Sequence, residues 1–176
     1  FRERSGDGLV NACYRVPTFS EVLESFPSVR LNVDVKPRSL DVARRVMAIV
    51  SQHRAEERVL LTSFHDEVLG AIRSLGYRGP TGLARVEAVR ALAAPRFTPR
   101  WLLPAGSRIQ IPTHAGRLRL DSKPVVRRLQ RLGYAVDFWV VNDADGAKRA
   151  KVAGADGVMT DDPRTVVASL RAAGAP

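Results

Sequence analysis

The chain has 176 residues, 45% of them hydrophobic, and carries 28 lysines and arginines against 18 aspartates and glutamates, a formal net charge of +10. That length suits one globular domain, and the charge favours anionic partners: phosphorylated metabolites, nucleic acid or an acidic membrane surface. A single cysteine, Cys13, excludes an internal disulfide framework and a thiolate zinc site.

The basic residues are mostly arginines spread along helical stretches, which reads as solvated helix faces. Aromatic residues make up 6% of the chain and do not interleave with them, so single-strand stacking has little support and no nucleic-acid partner is expected. No run approaches the ~18 consecutive apolar residues of a membrane-spanning helix. The chain begins with Phe1 and reads as a piece of something longer. Its start carries no signal-peptide pattern, and both the cytoplasm and secretion stay open.

In chain order, residues 1–29 predict a loop over Arg4–Arg15 and one short helix, Phe19–Phe26, after Pro17-Thr18. From residue 30 short β-like runs alternate with helical patterns. The strands are Arg30–Val35, Val59–Phe64, Pro80–Leu83, Arg108–Ile111, Ala135–Val141 and Gly157–Thr160. Between and after them lie helices at about 40–53, 66–75, 85–93, 122–132, 143–153 and 163–173. Leu40, Ala43, Val46, Met47 and Val50 form one apolar stripe at helical period. Leu75-Gly76-Tyr77 and Leu132-Gly133-Tyr134 each place a glycine at the left-handed position past a last helical turn, and Gly154 does the same.

Such alternation implies right-handed βαβ units and a parallel sheet. No strand is followed by the glycine-rich turn of a dinucleotide site. Polar residues gather instead at nearly every strand's C-terminal edge, as at a barrel mouth. The expected fold is therefore α/β, a TIM-type (β/α) barrel that is incomplete, with about six of eight βα units and the first two missing. Residues 30–35 and 157–160 would then be edge strands, which invite pairing or aggregation.

Within the first strand Asn32, Asp34 and Lys36 share one face, and Leu31, Val33 and Val35 the other. A carboxylate suits a hard cation, and a lysine two residues on suits a phosphate. The bland alternative is a half-exposed strand with a surface ion pair. Ser63-Phe64 ends the second strand, and Gln110 sits between Ile109 and Ile111 on a short strand, so it faces the barrel if the isoleucines face the helices. Trp139 is either core or an apolar wall for a substrate's carbon skeleton. Asn142 with Asp143 serves either a ligand or the N-cap of the next helix. Of Asp161 and Asp162 one caps the helix opened by Pro163, and the other is free. His53, His65 and His114 lack metal-site spacing and default to surface or capping roles.

In order and spacing, five segments resemble the C-terminal part of a glycerophosphodiester phosphodiesterase over about Val16–Val167. They are Val16-Pro17-Thr18-Phe19-Ser20-Glu21-Val22-Leu23, Leu31-Asn32-Val33-Asp34-Val35-Lys36, Ser63-Phe64, Trp139-Val140-Val141-Asn142 and the run from Gly154 to Pro163. The resemblance implies a TIM barrel that hydrolyses glycerophosphodiesters to an alcohol and glycerol 3-phosphate with a divalent cation, Ca²⁺ or Mg²⁺. The family's strand reads Glu-x-Lys. Asp34 stands in the place of that metal-binding Glu, one methylene shorter, and Lys36 in the place of the phosphate-side lysine. Gln110, Trp139 and Asn142 are the substrate-binding candidates beside Lys36, although Val140 replaces a Thr in the family's pattern. Ser63, Phe64 and Asp161 would support the site from behind.

The family's His-Arg-Gly strand, its acidic pair and its His-Asp pair are not in this sequence. Phe1–Arg15 looks like the connecting segment after them, and the chain alone is expected to be inactive. The partner is expected to be a small anionic phosphodiester or a lysophospholipid. The alternatives are a lysophospholipase D-type activity, for which Phe97, Trp101, Leu102 and Leu103 hint at a widened apolar mouth, and a non-catalytic barrel that binds phosphorylated ligands.

Overall fold

The computed structural model describes residues 15–172 and 174. The expected connecting segment, apart from Arg15, and Cys13 lie outside the described residues. Seven helices among those residues are α1 (Phe19–Ser25), α2 (Leu40–Gln52), α3 (Asp66–Ser74), α4 (Arg85–Ala93), α5 (Lys123–Arg131), α6 (Ala144–Ala153) and α7 (Pro163–Ala172). The strands are β1 (Leu31–Asp34), β2 (Val59–Thr62), β3 (Arg108–Pro112), β4 (His114–Ala115), β5 (Leu118–Arg119), β6 (Ala135–Trp139) and β7 (Gly157–Val158).

β1 runs parallel to β2, from Leu31↔Val59 to Asp34↔Thr62. Leu61 then bridges to Thr81 and Gly82 bridges to Arg108, both parallel. β3 pairs with β6 from Arg108↔Ala135 to Pro112↔Trp139, and β6 pairs with β7 at Asp137↔Gly157. Six parallel segments thus follow one another in chain order, each βα crossover wrapping helices on the outside. Among the described residues no ladder joins β7 back to β1. The expected strand Pro80–Leu83 is reduced to single bridges at Thr81 and Gly82. Arg73 of α3 reinforces it, donating to Thr81 Oγ1 at 3.0 Å and to the Gly82 carbonyl at 2.6 Å, while its guanidinium pairs with Glu87 of α4 at 2.5 Å. β4 and β5 form a small antiparallel hairpin within what reads as a loop in the sequence.

Helix ends follow local chemistry. Thr18 and Glu21 form a reciprocal capping box at α1, and Asp143 caps α6 through Gly146 N–H at 2.7 Å. Gly76, Gly133 and Gly154 have φ of 86°, 91° and 85°, the left-handed exit that L side chains resist.

The alternation of the strands divides two environments. Val35, Val59, Leu61, Ile109, Ile111, Val136 and Phe138 face the helices and are buried there with Leu23, Val50, Leu69, Ile72, Val126 and Leu129. The opposite face lines the lumen with Asp34, Thr62, Arg108, Gln110, Asp137 and Trp139. Deep in that lumen the Asp137 side chain, only 8% exposed, accepts from Arg108 Nε at 2.6 Å and Nη2 at 2.7 Å. Asp137 holds the Arg108 guanidinium charged, its pKa raised by that hydrogen bond. A Cβ at Gly157 would overlap the Asp137 carboxylate, which explains a glycine opening β7. No helix of the described residues is long and apolar enough to cross a membrane.

The pair sets a stability test. Asp137→Ala leaves a mostly buried guanidinium unpaired, and the expected loss is about 2–3 kcal/mol, discounted because Arg108 keeps some solvent contact. Urea unfolding of the two chains measures it, and equal midpoints would show that the pair contributes nothing.

Candidate functional site

At the C-terminal ends of the strands the lumen opens into a cavity of about 270 Å³. Asp34, Lys36, Ser63, Phe64, Gln110 and Trp139 all line it, joined by Asn32, Thr62, Arg85 and the apolar Leu83, Ala84, Ala88, Val140 and Met159. β1 delivers Asp34 on the lumen face, level with Thr62 of β2. Just past its end the Lys36 ammonium turns back and donates to Asp34 Oδ2 at 2.8 Å. Lys36 is 79% exposed, so one face of its ammonium stays open to an incoming anion. The hydrogen bond and charge of Asp34 raise the Lys36 pKa, and the lysine is fully cationic at neutral pH.

Behind that pair Ser63 is buried. Its Oγ donates to the Val35 carbonyl at 2.8 Å and accepts from His65 N–H at 3.2 Å, pinning the exit of β1 to the exit of β2. Phe64 and Trp139 meet edge to face across the rim, ring centroids 6.3 Å apart and planes at 77°. Phe64 is therefore a wall of the cavity itself. Gln110 reaches the cavity, and its Nε2 lies 3.5 Å from Oδ2 of Asp137, its ladder partner on the neighbouring strand.

Asn142 and Asp161 sit together at the ends of β6 and β7. Asn142 Nδ2 donates to Asp161 Oδ2 at 3.1 Å, and its Oδ1 accepts from Asp161 N–H at 2.8 Å and Thr160 Oγ1 at 3.1 Å. This amide thus ties two loops together. Asp162 caps α7 through Thr165 N–H at 3.1 Å, and bonds from Thr165 hold its carboxyl below the usual range. The capping roles left open in the sequence fall to Asp143 and Asp162, releasing Asn142 and Asp161.

The residues that sequence reading missed are Thr62, Arg85 and the Leu83–Ala84–Ala88 wall. Thr62 has the same parity as Asp34 across the ladder, and Arg85 is the first helical residue after a strand end, so strand alternation carried to every edge would have found both.

A divalent cation does not fit these residues by themselves. Among the described residues no three His, Cys, Asp or Glu side chains gather to hold a metal ion. Among the described residues Asp34 is the only acid lining the cavity, and Lys36 already engages it. No histidine lines the cavity either: His53 follows α2 at the far end, 3.9 Å from Glu24, His65 opens α3, and His114 lies on the rim hairpin beside Thr113.

The apolar loop is corrected by the structure. Phe97, Trp101, Leu102 and Leu103 lie between the end of α4 and the start of β3, and therefore at the end of the barrel opposite the mouth. They cannot widen it.

The model of the Glycerophosphoryl diester phosphodiesterase family matches residues 2–165. The "Probable glycerophosphodiester phosphodiesterase 2" of Mycobacterium tuberculosis is 27% identical over 161 residues, covering 83% of this chain and 56% of that protein. The "Lysophospholipase D GDPD1" of Rattus norvegicus is 25% identical over 173 residues, covering 85% of this chain and 54% of the relative. The chain thus spans a little over half the length of these curated relatives. Among solved structures, a phosphodiesterase from Oleispira antarctica in complex with the product sn-glycerol-3-phosphate aligns at a TM-score of 0.66 and 19% identity, over 88% of this chain and 61% of that one. This likeness supports the barrel fold.

The Asp34–Lys36 pair is directly testable. Its charge pairing is present below the ordinary lysine range and is lost as pH rises through the raised Lys36 pKa. In Asp34→Asn the Lys36 midpoint falls, read by carbon NMR titration of its Cε. An unmoved midpoint would mean that the two groups do not pair in solution.

Proposed function

Because the chain belongs to the glycerophosphoryl diester phosphodiesterase family, we propose that it carries the phosphate-side wall of a hydrolase acting on glycerophosphodiesters. Water would add to phosphorus, and the products would be an alcohol and glycerol 3-phosphate. The observation that supports this most is the open Lys36 ammonium at the rim of a cavity walled by Phe64 and Trp139. A fixed cation at that rim pairs with a phosphoryl oxygen through a short charge-assisted bond. Aromatic walls exclude water from the other side of the ligand and take up its carbon skeleton. Gln110 supplies an amide to ligand hydroxyls, and Asn142 with Asp161 holds the rim loops in place.

Asp34 is the candidate ligand for a divalent cation, Ca²⁺ or Mg²⁺, the group that the resemblance implies. A lone carboxylate already paired to a lysine holds such an ion weakly. Among the described residues the cavity lining also offers no histidine, and its carboxylate and its ammonium, Asp34 and Lys36, are engaged with each other. For both reasons the chain by itself is proposed to bind the product-like phosphomonoester without turning substrate over.

A second reading is favoured by the cavity's apolar side. Leu83, Ala84, Ala88, Val140 and Met159 would suit the acyl chain of a lysophospholipid, whose cleavage is lysophospholipase D chemistry.

Two measurements test the proposal. Incubation with glycerophosphocholine and Ca²⁺ or Mg²⁺ is expected to release no glycerol 3-phosphate, and clear release would overturn the inactivity. Glycerol 3-phosphate titrated into the chain is expected to shift amides around Lys36 and Phe64. Lys36→Ala is expected to weaken that binding by about tenfold or more. No binding to the unsubstituted chain would remove the phosphate site.

A further inference from the structure

We propose that α4 and the loop that follows it form a docking surface for an anionic lipid bilayer. The helix is built against the usual pattern. Its inward residues are small (Ala84, Ala88 and Ala91, with Leu92), whereas the branched Val86 and Val89 face solvent on one stripe with Ala93. Past the helix end the surface continues into Phe97 and Trp101, 79% and 81% exposed, and Leu102.

These side chains are presented rigidly. Pro95, Pro99 and Pro104 fix the loop's backbone, Thr98 binds the Pro95 carbonyl through both its N–H (3.0 Å) and its hydroxyl (2.8 Å), and Leu103 is buried as the anchor. Arg100 donates to the carbonyls of Pro104 (2.9 Å) and Gly106 (2.6 Å) and lies over the Tyr134 ring. A loop locked in this way keeps two aromatics out of the core.

Charge identifies the occupant. Residues 85–103 contain four arginines, Arg85, Arg90, Arg96 and Arg100, and one acid, Glu87, which Arg73 neutralises from within. At the margin of the surface the Asp66 carboxylate accepts from Val86 N–H through its Oδ2 at 3.3 Å. Among the described residues Arg85 and Arg90 have no side-chain hydrogen bond or ion pair, and Arg96 stacks on Phe97 with its guanidinium 4.3 Å from the ring centroid. Exposed Trp, Phe, Leu and Val interspersed with arginine suit a bilayer interface: the apolar groups enter the acyl boundary while guanidiniums meet lipid phosphates. The surface is also far from the β1 and β7 edges, because it belongs to the middle of the six strand segments. Further strands beyond those edges would not cover it. By topology α4 starts at the mouth, where Arg85 lines the cavity, and runs to the opposite end. A bilayer on this side therefore lies along the barrel wall, with Phe97 and Trp101 entering it at the end away from the mouth.

Vesicles of phosphatidylcholine, alone or mixed with phosphatidylglycerol, test the proposal with the intact chain, and no turnover is needed. Co-sedimentation with the mixed vesicles is expected, weakening with salt, and Trp101 fluorescence is expected to be quenched by lipids brominated in the acyl chain. The charge-preserving double variant Phe97→Ser with Trp101→Ser replaces only exposed side chains, and circular dichroism checks its fold. It is expected to lose about tenfold or more of the partitioning. Undiminished binding by that variant would reduce the effect to non-specific attraction of a +10 protein. Absence of vesicle binding, or self-association that the double variant abolishes, would overturn the bilayer assignment.

Discussion

The carboxylate of Asp137, gripped by two nitrogens of Arg108 inside the lumen, is the contact on which the site above it depends. A ring of parallel strands turns one face inward, and along the six described segments of that ring the inward residues at its centre are too polar to pack dry. The bidentate pair solves this by satisfying both charges at once. It also fixes its neighbours: Gln110 reaches across to Asp137 from the adjacent strand, and β7 opens with a glycine because the carboxylate fills the space of a Cβ. The cavity floor is thus set by charge geometry and its outer support by apolar packing against the helices.

Above the floor the polar residues divide into two kinds. Ser63 and Asn142 are engaged with backbone or loop groups and act by holding strand exits in place. Lys36 is different: it has one carboxylate partner and is otherwise in solvent. A group bonded on all sides is poorly placed to bind a ligand, whereas a half-satisfied cation at an open rim is well placed. This contrast, more than identity to any motif, singles out Lys36 among the candidates.

Much of the fold was legible because it is written in local chemistry. Glycine exits, capping aspartates and the periods of two and 3.6 placed six strand segments and seven helices close to their observed bounds. The third strand segment was legible only as position. Its pairing shrinks to two bridges, and the arginine that compensates, Arg73, comes from a helix with no sequence mark of that duty. The Arg108–Asp137 pair was invisible for the same reason, since 29 residues separate its partners and no spacing rule joins them. The parity of Asp34, Lys36 and Gln110 was readable from alternation. Phe97, Trp101 and Leu102 were assigned to the wrong end, although topology fixes the answer: what joins a helix to the next parallel strand lies away from the mouth.

The net charge of +10 takes on a different meaning once each arginine is followed to its partner. Arg58 donates to the carbonyls of Leu23, Phe26 and Val29 around the end of α1. Arg128 does the same for Leu92 and Ala94 at the end of α4. These guanidiniums bind carbonyls in and just past the last turn of each helix, where positive charge also suits the helix dipole. Arg73, Arg100 and Arg108 are likewise committed to internal acceptors. A basic composition therefore overstates the charge available to partners in this fold. The availability that counts is local, and along α4 two arginines without internal acceptors stand beside valines that face water, a combination that neither helix propensity nor core packing requires.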